Sequence, residues 1–251
     1  MNIKKLFLII AALVIVFLKP LWERPKLDPA LPPGGNFDLT NYTLQLPSGT
    51  NGKMQIIPVG ELAGKTGFTN QYFYTDKVDG AMTLMVPHQG VTSPNSTHCR
   101  TELREQTQGW RSEGNHSLTG EVAVPLVQER TALAQVYQAS GPRKPLCLLE
   151  YLAGGQLLLC VEKSPQGGST TKHPVGQVDP GSKFNFVLSV SDNELNININ
   201  GSNTTVSIPP SFSVSSYYFK AGNYDQTSVA GLPQEEAATI VKYYKLNIKH
   251  E

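Results

Sequence analysis

The strongest constraint on this chain is a period of two. Beyond residue 36 its apolar residues alternate with polar ones, and no stretch keeps a helical period for long. Side chains on a β-strand point to opposite faces in turn, so this alternation marks strands with one buried face. Tyr42, Leu44 and Leu46 stand against Thr43 and Gln45. Residues 72–74 and 81–86 flank the turn Asp79-Gly80, and 118–124 read as another strand. Residues 146–151 pair with 156–161 across Ala153-Gly154-Gly155, and 184–189 with 195–200 across Ser191-Asp192-Asn193. Residues 239–248 read as a closing strand, whereas 48–70 and 87–97 read as turns and loop. The 22 Gly and 18 Pro supply enough turns to join about a dozen short strands. The expectation is an all-β sandwich of two antiparallel sheets.

The N-terminus is separate. Lys4 and Lys5 precede an apolar run over residues 6–18, closed by Lys19-Pro20. That is a positive n-region followed by an h-region. The run is short for a bilayer span, which takes about 20 residues. Residues 1–22 are therefore expected to be a secretory signal peptide, with an uncleaved membrane anchor as the alternative. Residues 23–35 read as a Pro/Gly-rich linker and 36–251 as one domain, a monomer outside the cell. Any membrane contact would be through the anchor alone. A net charge of +1 gives no global argument for nucleic acid.

Cys99, Cys147 and Cys160 allow at most one bridge. A turn at Gly154-Gly155 makes Cys147 and Cys160 diagonal neighbours on one face. That geometry is marginal for a disulfide, so a bridge and two buried thiols both stay open. The five histidines are scattered and no Cys/His group has metal spacing, so neither metal nor cofactor is expected.

Three segments carry the chemistry. In the first, Arg100-Thr101-Glu102-Leu103-Arg104, the residues Arg100, Glu102 and Arg104 share one face of a strand. Two guanidinium forks around a carboxylate suit a groove that grips anions, although an isolated ion-pair ladder on a solvated sheet has the same pattern. In the second, residues 131–138, the small apolar Ala132, Ala134 and Val136 should face the core. Leu133, Gln135 and Tyr137 then take the groove side. In the third, residues 217–226, Tyr218 and Lys220 share a face, and Gly222 frees the backbone to carry Tyr224 over the end of a groove.

Taken together these segments resemble the alginate lyases of polysaccharide lyase family 7. That family carries R-[ST]-E-[LV]-R, Q-[IV]-H and Y-F-K-A-G-x-Y-x-Q in this order. Here they read Arg100-Thr101-Glu102-Leu103-Arg104, Gln135-Val136-Tyr137, and Tyr218-Phe219-Lys220-Ala221-Gly222-Asn223-Tyr224-Asp225-Gln226. The first and third match fully. The second departs, because Tyr137 stands where the family has a histidine usually given the role of general base. The resemblance covers residues 36–249. It implies a β-jelly roll with a concave cleft for an acidic polysaccharide such as alginate or glucuronan.

The implied reaction is β-elimination. A base takes the C5 proton beside the carboxylate and an acid protonates the departing O4. An anionic carboxylate leaves C5–H weakly acidic, so its charge must be neutralised. By residue type and by resemblance Arg100 and Gln135 take that role. Tyr224 is the acid, and Tyr224 or Tyr137 the base. Glu102, Arg104, Lys220 and Gln226 complete the substrate-binding set, with Glu102 also able to act as a brace for the guanidinium groups. The departure at Tyr137 leaves open which uronate is cut. The alternative is a non-catalytic polysaccharide-binding module that lost activity with the histidine. A hydrolase is disfavoured, since it needs two carboxylates across the bond and only Glu102 stands on this face.

Overall fold

The computed structural model describes residues 26–50, 53–94, 96–212 and 215–251. The apolar N-terminal segment, expected as signal or anchor, lies outside the described residues. Among the described residues no helix is long and apolar enough to cross a membrane. From Asp28 onward the Pro/Gly-rich stretch is folded onto the domain. Asn36 exchanges two hydrogen bonds with the Asp28 backbone, at 2.8 and 2.9 Å, around a single helical turn, Pro33–Asn36, whose Pro33 and Gly34 are buried.

Strands follow in close succession. They are β1 (Tyr42–Thr50), β2 (Lys53–Ile57), β3 (Phe73–Thr75), β4 (Met82–Pro87), β5 (Gln89–Gly90) and β6 (Arg100–Glu105). Next come β7 (Asn115–Leu126), β8 (Arg130–Gln138), β9 (Pro145–Leu152), β10 (Gln156–Glu162), β11 (Thr170–Gln177) and β12 (Phe184–Ser191). The last are β13 (Glu194–Ile199), β14 (Ser202–Ser207), β15 (Tyr217–Asp225), β16 (Val229–Ala230) and β17 (Ala237–His250). Eight strands form one sheet in the order β11-β10-β9-β8-β15-β6-β1-β2, and seven form another in the order β14-β13-β12-β7-β17-β4-β3. Every pairing within these two sheets is antiparallel; β5 and β16 add a short parallel pair. The expected sandwich is therefore present.

The two sheets share one apolar core. Leu103, Val136 and Phe219 from the first sheet meet Val122, Phe186 and Leu188 from the second in one buried cluster. Each side chain of this kind contributes about 1.5–3 kcal/mol on burial. Polar ties cross the same layer. Thr101 Oγ1 donates to the Met85 carbonyl at 2.6 Å, and the Tyr243 hydroxyl donates to the Leu133 carbonyl at 2.6 Å. Glu105 also points inward, accepting from the Phe219 backbone N–H at 2.7 Å and facing His250 Nε2 at 2.6 Å.

Two readings from strict alternation are corrected. Ala132 was expected in the core and Leu133 on the groove side, but Leu133 is in the core and Ala132 packs outside with Leu148, Leu158 and Cys160. A β-bulge between Ala132 and Ala134 in the β8–β9 pairing inserts one residue and reverses the parity of what precedes it. Cys147 and Cys160 do not share a face. Cys147 pairs with Val161 and faces the core, and Cys160 pairs with Leu148 on the outside. Both are free thiols, as is Cys99, and burial pushes Cys147 and Cys160 up to about 12. Strands β2, β11 and β14 were not expected. All three are edge strands: β11 and β14 are largely polar and β2 is mostly exposed, so their alternation carries little signal.

The bulge between Ala221 and Tyr224 places Gly222 at φ 154°, packed tightly against β6. A Cβ there would lie 2.6 Å from the Thr101 carbonyl oxygen and 2.8 Å from Glu102 Cα, both backbone atoms that cannot turn aside. Gly222→Ala should therefore destabilise the domain by about 2 kcal/mol or more. A thermal melt should show Tm lowered by about 4 °C or more. An unchanged Tm would mean that β15 and β6 are packed less closely than described.

Candidate active site

A cleft of about 610 Å³ opens on the outer face of the eight-stranded sheet, over β8, β15 and β6. These adjacent strands carry the three motif segments. Their register sets Gln135 beside Lys220 and Lys220 beside Arg104, Tyr137 beside Tyr218, and Tyr224 beside Arg100. Gly222 is paired with Glu102, so no side chain stands over that carboxylate. Longer groups from all three strands reach into the gap.

They converge on Glu102. Its Oε2 accepts from Arg100 Nη1 at 3.0 Å and from Lys220 Nζ, and its Oε1 accepts from Gln135 Nε2. Burial alone would raise the Glu102 carboxyl. The Lys220 and Arg100 charges and the hydrogen bonds from Lys220 and Gln135 outweigh it and hold the group below the usual carboxylate range. Burial pulls Lys220 below the usual lysine value, against the pull of Glu102. Of the two parts expected of Glu102, substrate-binding group and brace, the geometry fits the brace. It is 1% exposed and both its oxygens are engaged, so it acts as the brace that orients Arg100, Lys220 and Gln135. Gln135 is also 1% exposed, one layer below the cleft wall.

Arg100 connects this buried cluster to the open cleft. Its Nη2 donates to Ser96 Oγ at 3.2 Å, and its Nε–H is buried without a partner. Its guanidinium carbon lies 3.7 Å from the centre of the Tyr224 ring. The Tyr224 hydroxyl is 2.9 Å from Ser96 Oγ. Ser96 thus touches both the cation and the phenol. Sequence reasoning missed it, because it sits in a loop where no alternation operates.

The inner side of β15 fixes Tyr224 from below. The Asn223 side chain donates to the Leu84 and Thr239 carbonyls at 3.0 Å each and accepts from the Thr131 hydroxyl at 2.7 Å. Asp225 Oδ1 accepts from the Thr227 and Ser228 backbone N–H groups at 2.6 Å, closing the turn after the strand. Gln226 lines the cleft and donates back to the Tyr224 carbonyl at 3.1 Å.

The opposite wall is aromatic and basic. Arg104 is exposed and its guanidinium lies 4.5 Å from the Tyr218 ring centre. Tyr218 stacks obliquely on Tyr137 at 5.4 Å, and Lys220 Nζ is 5.2 Å from the Tyr137 ring centre. The Tyr137 hydroxyl donates to the Arg143 carbonyl. Burial raises the Tyr137 phenol above the usual tyrosine value, with the Arg100 charge opposing that rise. Gln45, Arg143, Lys144 and Glu162 also line the cleft and were not singled out from the sequence. Their strands or turns give no motif that distinguishes them from surface residues. Among the described residues no group of three His, Cys, Asp or Glu side chains could hold a metal.

With Lys220 protonated, Arg100 and Lys220 against Glu102 leave the floor with one net positive charge, and Arg104 adds another at the rim. An anionic ligand fits this floor, and a phenol next to the anchoring guanidinium can exchange a proton with whatever that ligand presents.

A family model for alginate lyases matches residues 37–250. Among solved structures, family 7 alginate lyase A1-II′, in a tyrosine-to-phenylalanine variant with the product GGG, is 30% identical. Its TM-score is 0.78, over 88% of this chain and 100% of that one. The same lyase, in a variant altered at a histidine and a tyrosine and holding the substrate GGMG, is 30% identical. There the TM-score is 0.77, over 87% of this chain and 96% of that one. Alginate lyase PA1167 from Pseudomonas aeruginosa is 24% identical with a TM-score of 0.76, over 86% and 100% of the two chains, and shares the fold. No curated protein sequence matches.

Because Glu102 compensates two buried cations, Glu102→Gln should cost about 3–5 kcal/mol at neutral pH. The carboxyl titrates lower in the folded than in the unfolded chain. The stability it lends is full above the unfolded value of about 4.3 and is lost as the pH falls through the lower folded value. Urea midpoints measured from pH 7 down to pH 3 should fall for the wild type and flatten for Glu102→Gln. Parallel curves would mean that Glu102 is not the ion pair's anion.

Proposed function

Since the chain belongs to the alginate lyase family, we propose that it cleaves alginate or a closely related polyuronate by β-elimination in the cleft over β8, β15 and β6. The observation that carries this reading is the contact of clamp and proton-transfer group. The Arg100 guanidinium lies over the Tyr224 ring, and Ser96 bridges the two. The related family 7 enzyme that holds GGG or GGMG supports an oligouronate as the ligand of this cleft.

In this reading the uronate carboxylate sits against Arg100. Arg100 gives one N–H of Nη1 to Glu102 and one of Nη2 to Ser96, so the second hydrogen on each of these nitrogens is not committed to a protein acceptor, while Gln135 lies beneath and steadies Glu102. Neutralising the carboxylate stabilises the negative charge that develops on it as the C5 proton leaves. Glu102 keeps the donors aimed, and its own charge is spent on Arg100 and Lys220 rather than facing the substrate. Arg104 and Tyr218 supply a charged and aromatic rim for neighbouring sugars. Tyr224 takes the role of acid toward O4. The N-terminal segment would deliver the domain outside the cell, where such polymers are found.

Tyr224→Phe should lower kcat on alginate by about a hundredfold or more, read as the rate of ultraviolet-absorbing unsaturated ends. Ser96→Ala should lower kcat by about tenfold to a hundredfold with KM little changed, because the phenol is misplaced while the clamp stays. Wild-type rates in Tyr224→Phe would overturn the assignment. A folded wild-type chain that binds alginate saturably and forms no new ends would favour the binding-module reading instead.

A further inference from the structure

We infer that Tyr137 is a positioning residue: it pins the turn between β8 and β9, so that the Arg143 guanidinium stands on the cleft wall and takes a second carboxylate of the polyuronate. The inference rests on the lyase reading above and adds to it a binding group for a sugar other than the one that is cleaved.

The turn spans residues 139–144. Two of its residues have left-handed backbones, Gly141 at φ 73° and Arg143 at φ 54°. Glycine adopts that region freely, whereas an arginine there brings its Cβ against its own backbone. Among the described residues the other non-glycine positions of this kind are Asp192, Asn193 and Asn200, whose short polar side chains tolerate it. Arg143 is the exception by residue type, and such a residue persists only where its surroundings hold it.

Two neighbouring residues of β8 hold the turn. The Tyr137 hydroxyl donates to the Arg143 carbonyl. Gln138 gives its backbone N–H and its side-chain Nε2 to the Lys144 carbonyl, each at 3.1 Å. The same Nε2 donates to the Pro165 carbonyl at 2.8 Å and ties the turn to the loop after β10. Tyr137 is itself fixed, since its ring packs on Tyr218. Loss of its proton would set a phenolate against a carbonyl oxygen in a half-buried place, and burial already disfavours the charged form.

The result is a free cation on the wall. Arg143 is exposed and lines the cleft. Arg100 and Lys220 are paired with Glu102, and Arg104 lies over the Tyr218 ring. The Arg143 guanidinium has no ion-pair or hydrogen-bond partner among the described residues. A planar fork of donors matches a carboxylate. Every sugar of a polyuronate carries one, so a cleft that holds one carboxylate at Arg100 meets others along the chain. An arginine on an untethered turn would lose ordering entropy on binding, and the tyrosine lowers that cost by holding the turn beforehand.

The test follows unsaturated ends on alginate for Tyr137→Phe, Arg143→Gly and the double variant. The Arg143→Gly change keeps the left-handed backbone and removes the side chain. Each single variant should raise KM about fivefold to tenfold while kcat keeps more than about a third of the wild-type value. In the Arg143→Gly background, Tyr137→Phe should add less than about twofold, because the turn then presents no guanidinium. Calorimetry with alginate oligomers in the Tyr224→Phe background should give the same ratios in Kd. A hundredfold loss of kcat in Tyr137→Phe with KM kept would make Tyr137 a proton-transfer group and overturn the inference. Fully additive effects in the double variant, or wild-type KM and Kd in both single variants, would overturn it as well. All three outcomes leave the lyase reading intact. A chain that binds alginate and forms no unsaturated ends overturns the lyase reading alone, and the Kd ratios then decide this inference. A folded chain that neither binds nor cleaves alginate overturns both.

Discussion

One buried carboxylate sets the geometry of the whole cleft. Glu102 draws a guanidinium from its own strand, an ammonium from β15 and an amide from β8 onto two oxygens. Taking three charges out of water is costly, and a buried ion cluster seldom stabilises a fold more than apolar packing would. What it provides here is direction. A lone arginine on a strand would sample many rotamers, whereas Arg100 is held at one end by Glu102 and at the other by Ser96. Its remaining donors are thereby held in one orientation. While Lys220 is protonated, two cations stand against one anion and the floor is positive even though the brace is negative.

The backbone supports this arrangement through its irregularities as much as through its regular pairing. Gly222 sits opposite Glu102 and leaves the space into which the three donors reach. The bulge between Ala221 and Tyr224 shifts β15 against β8 by one residue while its pairing with β6 stays in step. Because the pairing with β6 is unbroken, Tyr224 stays beside Arg100, and alternation along β15 turns Asn223 inward, where it ties β15 to both sheets.

Much of this was legible in the chain. Alternation marked the strands with one buried face, and the face shared by Arg100, Glu102 and Arg104 is the one the cleft occupies. Strict alternation failed where a bulge intervened. Leu133 and Ala132 exchange sides, because a period of two cannot register an inserted residue. Cys147 and Cys160 fall on opposite faces for a simpler reason. The hairpin pairs residues whose numbers sum to a constant, as Leu157 with Tyr151 and Cys160 with Leu148 do, and one residue of register decides the face. Edge strands such as β14 hide because their exposed sides need no apolar residues. Ser96 was invisible because its importance lies in what folds against it from 128 residues away.

The same distinction bears on Tyr137. By residue type alone a tyrosine could replace a histidine as a base, since both exchange protons. Its surroundings oppose ionisation. The hydroxyl is committed as a donor to a carbonyl, in a half-buried position that disfavours charge, whereas Tyr224 faces a hydroxyl that can serve as donor or acceptor. Two phenols on neighbouring strands are thus chemically unlike. What each phenol can do is set by the hydrogen-bond partners the protein gives it, and not by the presence of the phenol itself.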